Sequence, residues 1–136
     1  MKSKLLLRLL ILFTLFISIF SCEKDADYLK KYTGSFAFTV TIHQTIYIEN
    51  IDTTYSSTFN GQITIDDEKL RRLSINYGNG LAITPKVLES GQFVDEGGYS
   101  SNRLSGQFSS QDEVIFDISG DSAGFSIVTH VTGKRN

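Results

Sequence analysis

The chain of 136 residues is short of the groups that most chemistries need. It has one cysteine, Cys22, so no disulfide forms within it, and a lone cysteine in an exported protein is a free thiol, an intermolecular partner or a modification site. It has two histidines, His43 and His130, whereas metal sites gather three or four convergent ligands and a triad needs a nucleophile, a base and an orienting group. Both histidines sit at the parity opposite the apolar face of their strands, so both are expected to look outward. Lysine and arginine are outnumbered by acidic residues, 13 against 15, which argues against a nucleic-acid binder. No glycine-rich phosphate loop and no long internal repeat occur, and no helical period appears after residue 33.

Carboxylates are plentiful but fall in expected turns: Asp66, Asp67, Glu68, Asp95, Glu96, Asp112 and Glu113. Nothing marks two of them as an acid–base pair facing across a cleft, and Asp66-Asp67-Glu68 lacks the alternating ligand spacing of a calcium loop. The expectation is a protein that is not an enzyme and carries no cofactor and no metal.

What the chain does have begins at its front. Lys2, Lys4 and Arg8 precede an apolar run from Leu9 to Phe20, broken only by Thr14 and Ser18. That is a charged segment followed by an apolar core too short to span a bilayer, the pattern of a signal-peptide helix over residues 1–21. Its removal leaves 10 basic against 15 acidic residues, a mature net charge of −5. Ile19-Phe20-Ser21-Cys22 resembles a bacterial lipoprotein box, departing from it at Phe20, where a small residue is usual. The resemblance implies that Cys22 becomes the first mature residue and carries a diacylglyceryl thioether and an N-acyl chain of the palmitate class. Two or more chains give stable anchoring, so the membrane is an expected partner. Residues 22–33 then read as the lipidated cysteine and a charged tether, with one helical turn available from Tyr28 to Tyr32. The acidic residues after Cys22 resemble surface-export signals of Bacteroidota-type lipoproteins, although a plain solvated linker reads the same way. The expected location is the bacterial cell envelope, as an outer-membrane lipoprotein facing the periplasm or the cell surface.

The domain itself, residues 34–136, is organised around Gly34–Glu49. Even positions there read Phe36, Phe38, Val40, Ile42, Gln44, Ile46 and Ile48; odd positions read Ser35, Ala37, Thr39, Thr41, His43, Thr45 and Tyr47. This period of two predicts a β-strand from Phe36 to Ile48, about 43 Å long and longer than strands usually run. It must bend, bulge near Gln44 or project beyond the body. A return strand carries Tyr55, Ser57, Phe59, Gly61, Ile63 and Ile65, with Gly61 suggesting a bend or bulge. Leu73, Ile75 and Tyr77 share one face of a third strand, and Gly78-Asn79-Gly80 is the strongest hairpin signal. Pro85 marks an edge, a bulge or a strand end in the fourth. Further strands are expected around Gln92–Val94, Leu104–Phe108, Val114–Ile118 and Phe125–Val131.

About eight strands joined by short turns predict an all-β fold, an antiparallel up-and-down meander forming a small barrel or half-open barrel, with a sandwich as the alternative. Gly34-Ser35-Phe36, the run of strands and terminal Arg135 resemble a lipocalin-like or avidin-like barrel, with Phe36 where lipocalins place Trp. Two functions follow as expectations. The first is binding of a small apolar molecule or glycan in the barrel mouth. The second is an interaction module that docks on another envelope protein. A deep pocket favours the first; a filled core with an exposed edge or apolar patch favours the second. The irregular stretch 91–102 offers Phe93 and Tyr99 as a candidate binding loop, or Phe93 as a plug of the barrel end. Tyr47 and Tyr55 are further rim candidates.

Overall fold

The computed structural model describes residues 27–96 and 102–136. The strands are β1 (Gly34–Ile46), β2 (Ile51–Asp67), β3 (Arg72–Gly78), β4 (Leu81–Ile83), β5 (Lys86–Val87), β6 (Phe93–Val94), β7 (Asn102–Ser110), β8 (Glu113–Ser122) and β9 (Phe125–Arg135). They form one antiparallel sheet in the order β6-β5-β3-β2-β1-β9-β8-β7, with β4 beside β3. The first and last strands pair, so the meander wraps into a nearly closed barrel. The remaining seam is stitched where Gln92 bridges Gln107 and Phe108 N–H donates to the Gly91 carbonyl at 2.9 Å.

β1 is the central strand. It is in register with β2 from Gly34↔Ile63 to Ile46↔Ile51, and with β9 from Phe36↔Arg135 to Ile46↔Phe125. No register shift occurs near Gln44, nor at Gly61, so neither bulge forms and the strand projects instead. The expected bounds of 36–48 move to 34–46 because Tyr47 to Asn50 make the turn, where Asn50 takes φ 51°. The fourth expected strand splits at Thr84-Pro85 into β4 and β5, since proline cannot donate to a ladder. Asn79 (φ 50°) and Gly80 (φ 77°) turn the β3–β4 hairpin as the Asn-Gly pair predicts.

Even residues of β1 enter the core: Phe36, Phe38 and Val40 are buried with Ile63, Leu73, Ile75, Tyr77, Val87, Phe93, Leu104, Phe108, Val114, Phe116 and Val131. The Phe38 ring lies between two strands that carry glycine beside it; a methyl group at Gly61 or Gly133 would come under 3.0 Å from that ring. Tyr77 meets Phe116 edge-on at 5.4 Å, and Phe93 meets Phe108 at 5.7 Å.

One barrel end is closed by a short 3-10 helix, Asp27–Tyr32, so these residues of the expected tether pack on the barrel. Leu29 and Tyr32 are core residues, Tyr32 stacks on Phe108 at 4.1 Å, and Tyr28 Oη donates to the Val87 carbonyl at 2.6 Å. Burial lifts the Tyr28 hydroxyl above the ordinary phenol range and keeps it a donor. Arg135 locks the helix down. Its guanidinium donates to the carbonyls of Thr33, Lys31 and Gln111 and to Asp112, and lies 4.9 Å over the Phe36 ring. Gly34, at φ 143°, leaves the room this guanidinium needs.

Candidate functional site

Two places in the fold are candidates for contact with another molecule: the barrel mouth opposite the helix, and the end of the projecting sheet.

The mouth is narrow. Its cavity of about 200 Å³ is lined by Tyr77, Ala82, Ile83, Asn102, Leu104 and Ile118, with Arg103 beside them. Phe116, Tyr77 and Phe93 occupy the space beneath it. Sites for small molecules usually hold roughly 300–1,000 Å³, so this cavity falls short of a deep ligand pocket. Phe93 is 9% exposed and rests against Phe108 and Phe116; it fills the interior and does not stand on a rim. The other half of the candidate loop, Tyr99, lies outside the described residues, as does Cys22.

The projecting end is different. Above Ile42 the inward parity of β1, β2 and β9 continues as Gln44 and Ile46, Tyr55, Thr53 and Ile51, and Ile127 and Phe125. β3 pairs with β2 only from Gln62↔Asn76 onward, so on the β2 side no strand faces this end, whereas β8 accompanies β9 to Ser122↔Phe125. These side chains therefore line a blade wetted on both faces. Ile48 is 86% exposed, Tyr47 61% and Tyr55 57%, with Ile51 and Phe125 also exposed. Two turns meet at the tip: Tyr47 N–H donates to the Gly124 carbonyl at 3.0 Å, and the Ile48 side chain lies beside Gly124. Exposed apolar residues scattered singly are ordinary, whereas a contiguous group on a projecting edge marks a contact surface. The rim reading of Tyr47 and Tyr55 finds them here, on the blade and not around a pocket. Parity alone concealed this. It assigns Ile46 and Phe125 to the inner face, where the register adds Ile51, and only the height of the facing wall decides whether that face is dry.

The histidines lie on the outer face of the same sheet. His43 reaches Asp52 at 3.2 Å and Thr54 at 3.1 Å; His130 Nδ1 reaches Asp117 at 2.6 Å. Thr41 is the residue paired with His130, so the two histidines are offset by two positions along adjacent strands. Among the described residues no group of three or more His, Cys, Asp or Glu is placed to hold a metal ion, and no polar or charged side chain is buried. Near the helix end, Arg72 and Lys86 both bind Glu96. The Arg72 hydrogen bond, then that of Lys86, holds the Glu96 carboxyl below its ordinary range, and the same pairing holds Arg72 above its own.

No family model matches this chain, and no curated protein matches it. Among solved structures it is similar to the ywiB protein from Bacillus subtilis, at 11% identity and a TM-score of 0.42, over 79% of this chain and 97% of that one.

Proposed function

We propose that this protein is a lipid-anchored cell-envelope protein whose barrel is a non-catalytic docking module for another envelope protein. The observation that carries the reading is the blade. A filled core takes up the barrel interior, while Tyr47, Ile48, Ile51, Tyr55 and Phe125 stay in solvent at one end. Binding a small apolar molecule or glycan in the mouth is the weaker reading, because the cavity there is about 200 Å³. Acyl chains on Cys22 would hold the helix end of the barrel toward the membrane, since the helix begins at Asp27, and the blade would point away from it.

The test is a double variant, Ile48→Ser with Phe125→Ser. The melting temperature should hold and an envelope protein recovered by cross-linking with the parent chain should be lost. Retained capture would move the contact elsewhere. Capture lost instead on an Arg103→Ala change would place the protein contact at the mouth and not on the blade. For the anchor, Cys22→Ser should shift the chain from the membrane fraction to the soluble one and abolish incorporation of labelled fatty acid; unchanged fractionation would remove the lipoprotein reading.

A further inference from the structure

Among the described residues, 51–60 of β2 have a ladder partner on one side only, with Gly78 at the end of β3 packed beside Phe59. β1 pairs with them throughout, and β3 joins β2 only from Gln62 onward. The hydrogen-bond phase of this edge follows from its surroundings. Asn136 N–H donates to the Ser35 carbonyl and Tyr47 N–H to the Gly124 carbonyl, so odd residues of β1 bond toward β9 and even ones toward β2. Ile42↔Tyr55 is accordingly a hydrogen-bonded pair. The N–H and C=O groups of odd β2 residues are taken up by β1, and those of Asp52, Thr54, Ser56 and Thr58 point outward.

Natural edges are usually defended by lysine, proline or a bulge. β7, one of the two terminal strands of the sheet, carries Arg103 and is bridged at Gln107. This stretch of β2 has no Lys, Arg, Pro or register shift. Its sequence is also a chemical palindrome about Tyr55. Reading outward on both sides gives Thr54 with Ser56, Thr53 with Ser57, Asp52 with Thr58, Ile51 with Phe59 and Asn50 with Asn60.

We propose that two copies of this chain pair antiparallel through this edge, on a two-fold axis at Tyr55. An isologous contact needs a surface complementary to itself, and a palindromic strand supplies that where a strand of arbitrary sequence does not. The register sets outward residues against outward residues, Thr54 against Ser56 of the second copy and Asp52 against Thr58, giving about eight backbone hydrogen bonds from four opposed pairs. On the inner face Ile51 meets Phe59, Thr53 meets Ser57 and Tyr55 meets Tyr55, pairs free of charge. Asp52, the single charge in the stretch, never faces its own copy. The pairing also stops in time, since the second copy's Ile51 ends at Phe59, beside Gly78 and short of Gln62 where the β3 ladder begins. The proposal goes beyond docking on the apolar tip, because it rests on the backbone edge.

A single strand pair lies at the small, transient end of interface sizes, so dimerisation should depend on concentration. Sedimentation equilibrium of the full chain in mild detergent should show a monomer–dimer equilibrium. Ser56→Pro deletes one outward N–H and leaves the β1 ladder intact; it should weaken the dimer at least about tenfold at an unchanged melting temperature. A second arm uses thiols in a Cys22→Ser background. Tyr55 faces itself across a non-hydrogen-bonded pair with Cα atoms about 4.5 Å apart, within disulfide reach. Tyr55→Cys should cross-link to itself under mild oxidation; Ser57→Cys should not, but should cross-link to Thr53→Cys when the two are mixed. A monomer at every concentration, a dimer indifferent to Ser56→Pro, or Ser57→Cys cross-linking as readily as Tyr55→Cys would overturn the proposal. Ile48→Ser with Phe125→Ser should leave the dimer in place, so a failed docking surface and a failed dimer edge give different results.

Discussion

Below Ile42, the inward side chains of β1, β2 and β9 vanish into a shared interior: Phe36, Phe38, Val40, Ile63 and Val131 are all buried. Above it, the same three strands carry Ile46, Ile51, Tyr55 and Phe125 at the same parity, half-buried or exposed. The pairing does not change between the two regions, for the β1–β2 and β1–β9 registers run unbroken from one into the other. What changes is the far wall. The lower region stands on packing across the barrel, and the upper one stands on hydrogen-bond ladders and cross-strand pairs alone. An apolar residue therefore stabilises the fold in the first region and remains available to a partner in the second.

The sharpest way to break this contrast is to empty the lower region. Phe38→Ala leaves a void beside Gly61 and Gly133 that the backbone cannot fill, and should cost about 3–5 kcal/mol in urea titrations. A loss near zero would mean that the interior is not packed as described. Next is the clamp at the closed end. Arg135→Ala removes a half-buried guanidinium from three carbonyls and Asp112, and should cost about 2 kcal/mol. Arg135→Lys should recover little, because an ammonium lacks the planar fork that reaches those acceptors together.

Smaller effects locate the boundary. Ile42→Ala, at the transition, should cost about 1–2 kcal/mol, since only part of the side chain touches the core. Ile48→Ser should stay within about 0.5 kcal/mol. Equal losses at the two positions would erase the distinction between barrel and blade. The smallest effect is electrostatic. The Glu96 carboxyl is held below its ordinary range in the folded state, so its contribution is present above that range and disappears as pH falls through the folded value. The pair is solvent-exposed, so the gap in melting temperature between wild type and Glu96→Gln should be slight at neutral pH and vanish in acid. A gap that widened in acid would contradict the sign.

Periodicity of two and turn chemistry are local, and they made the all-β meander, the central strand and the Asn79-Gly80 hairpin legible from the residues alone. The face on which Phe36, Phe38, Leu73, Ile75 and Phe116 lie was legible for the same reason. The site was less so. Leu29 and Tyr32 sit in a charged stretch without strand periodicity, and only the open barrel end above them makes them core. Phe93, in an irregular segment, reads equally as lid or plug until Phe108 and Phe116 are seen against it. The cationic end of Arg135 finds its four partners through a chain separation that no spacing rule covers. Above all, nothing within β1 or β2 states how tall the opposite wall is. Burial is a property of what surrounds a residue, so the sequence by itself determined which way Ile46, Tyr55 and Phe125 point, while Ile51 reads as part of a turn. Only the tertiary structure, by ending β3 at Gly78, decided that Ile51 and Phe125 are exposed and Ile46 half-buried.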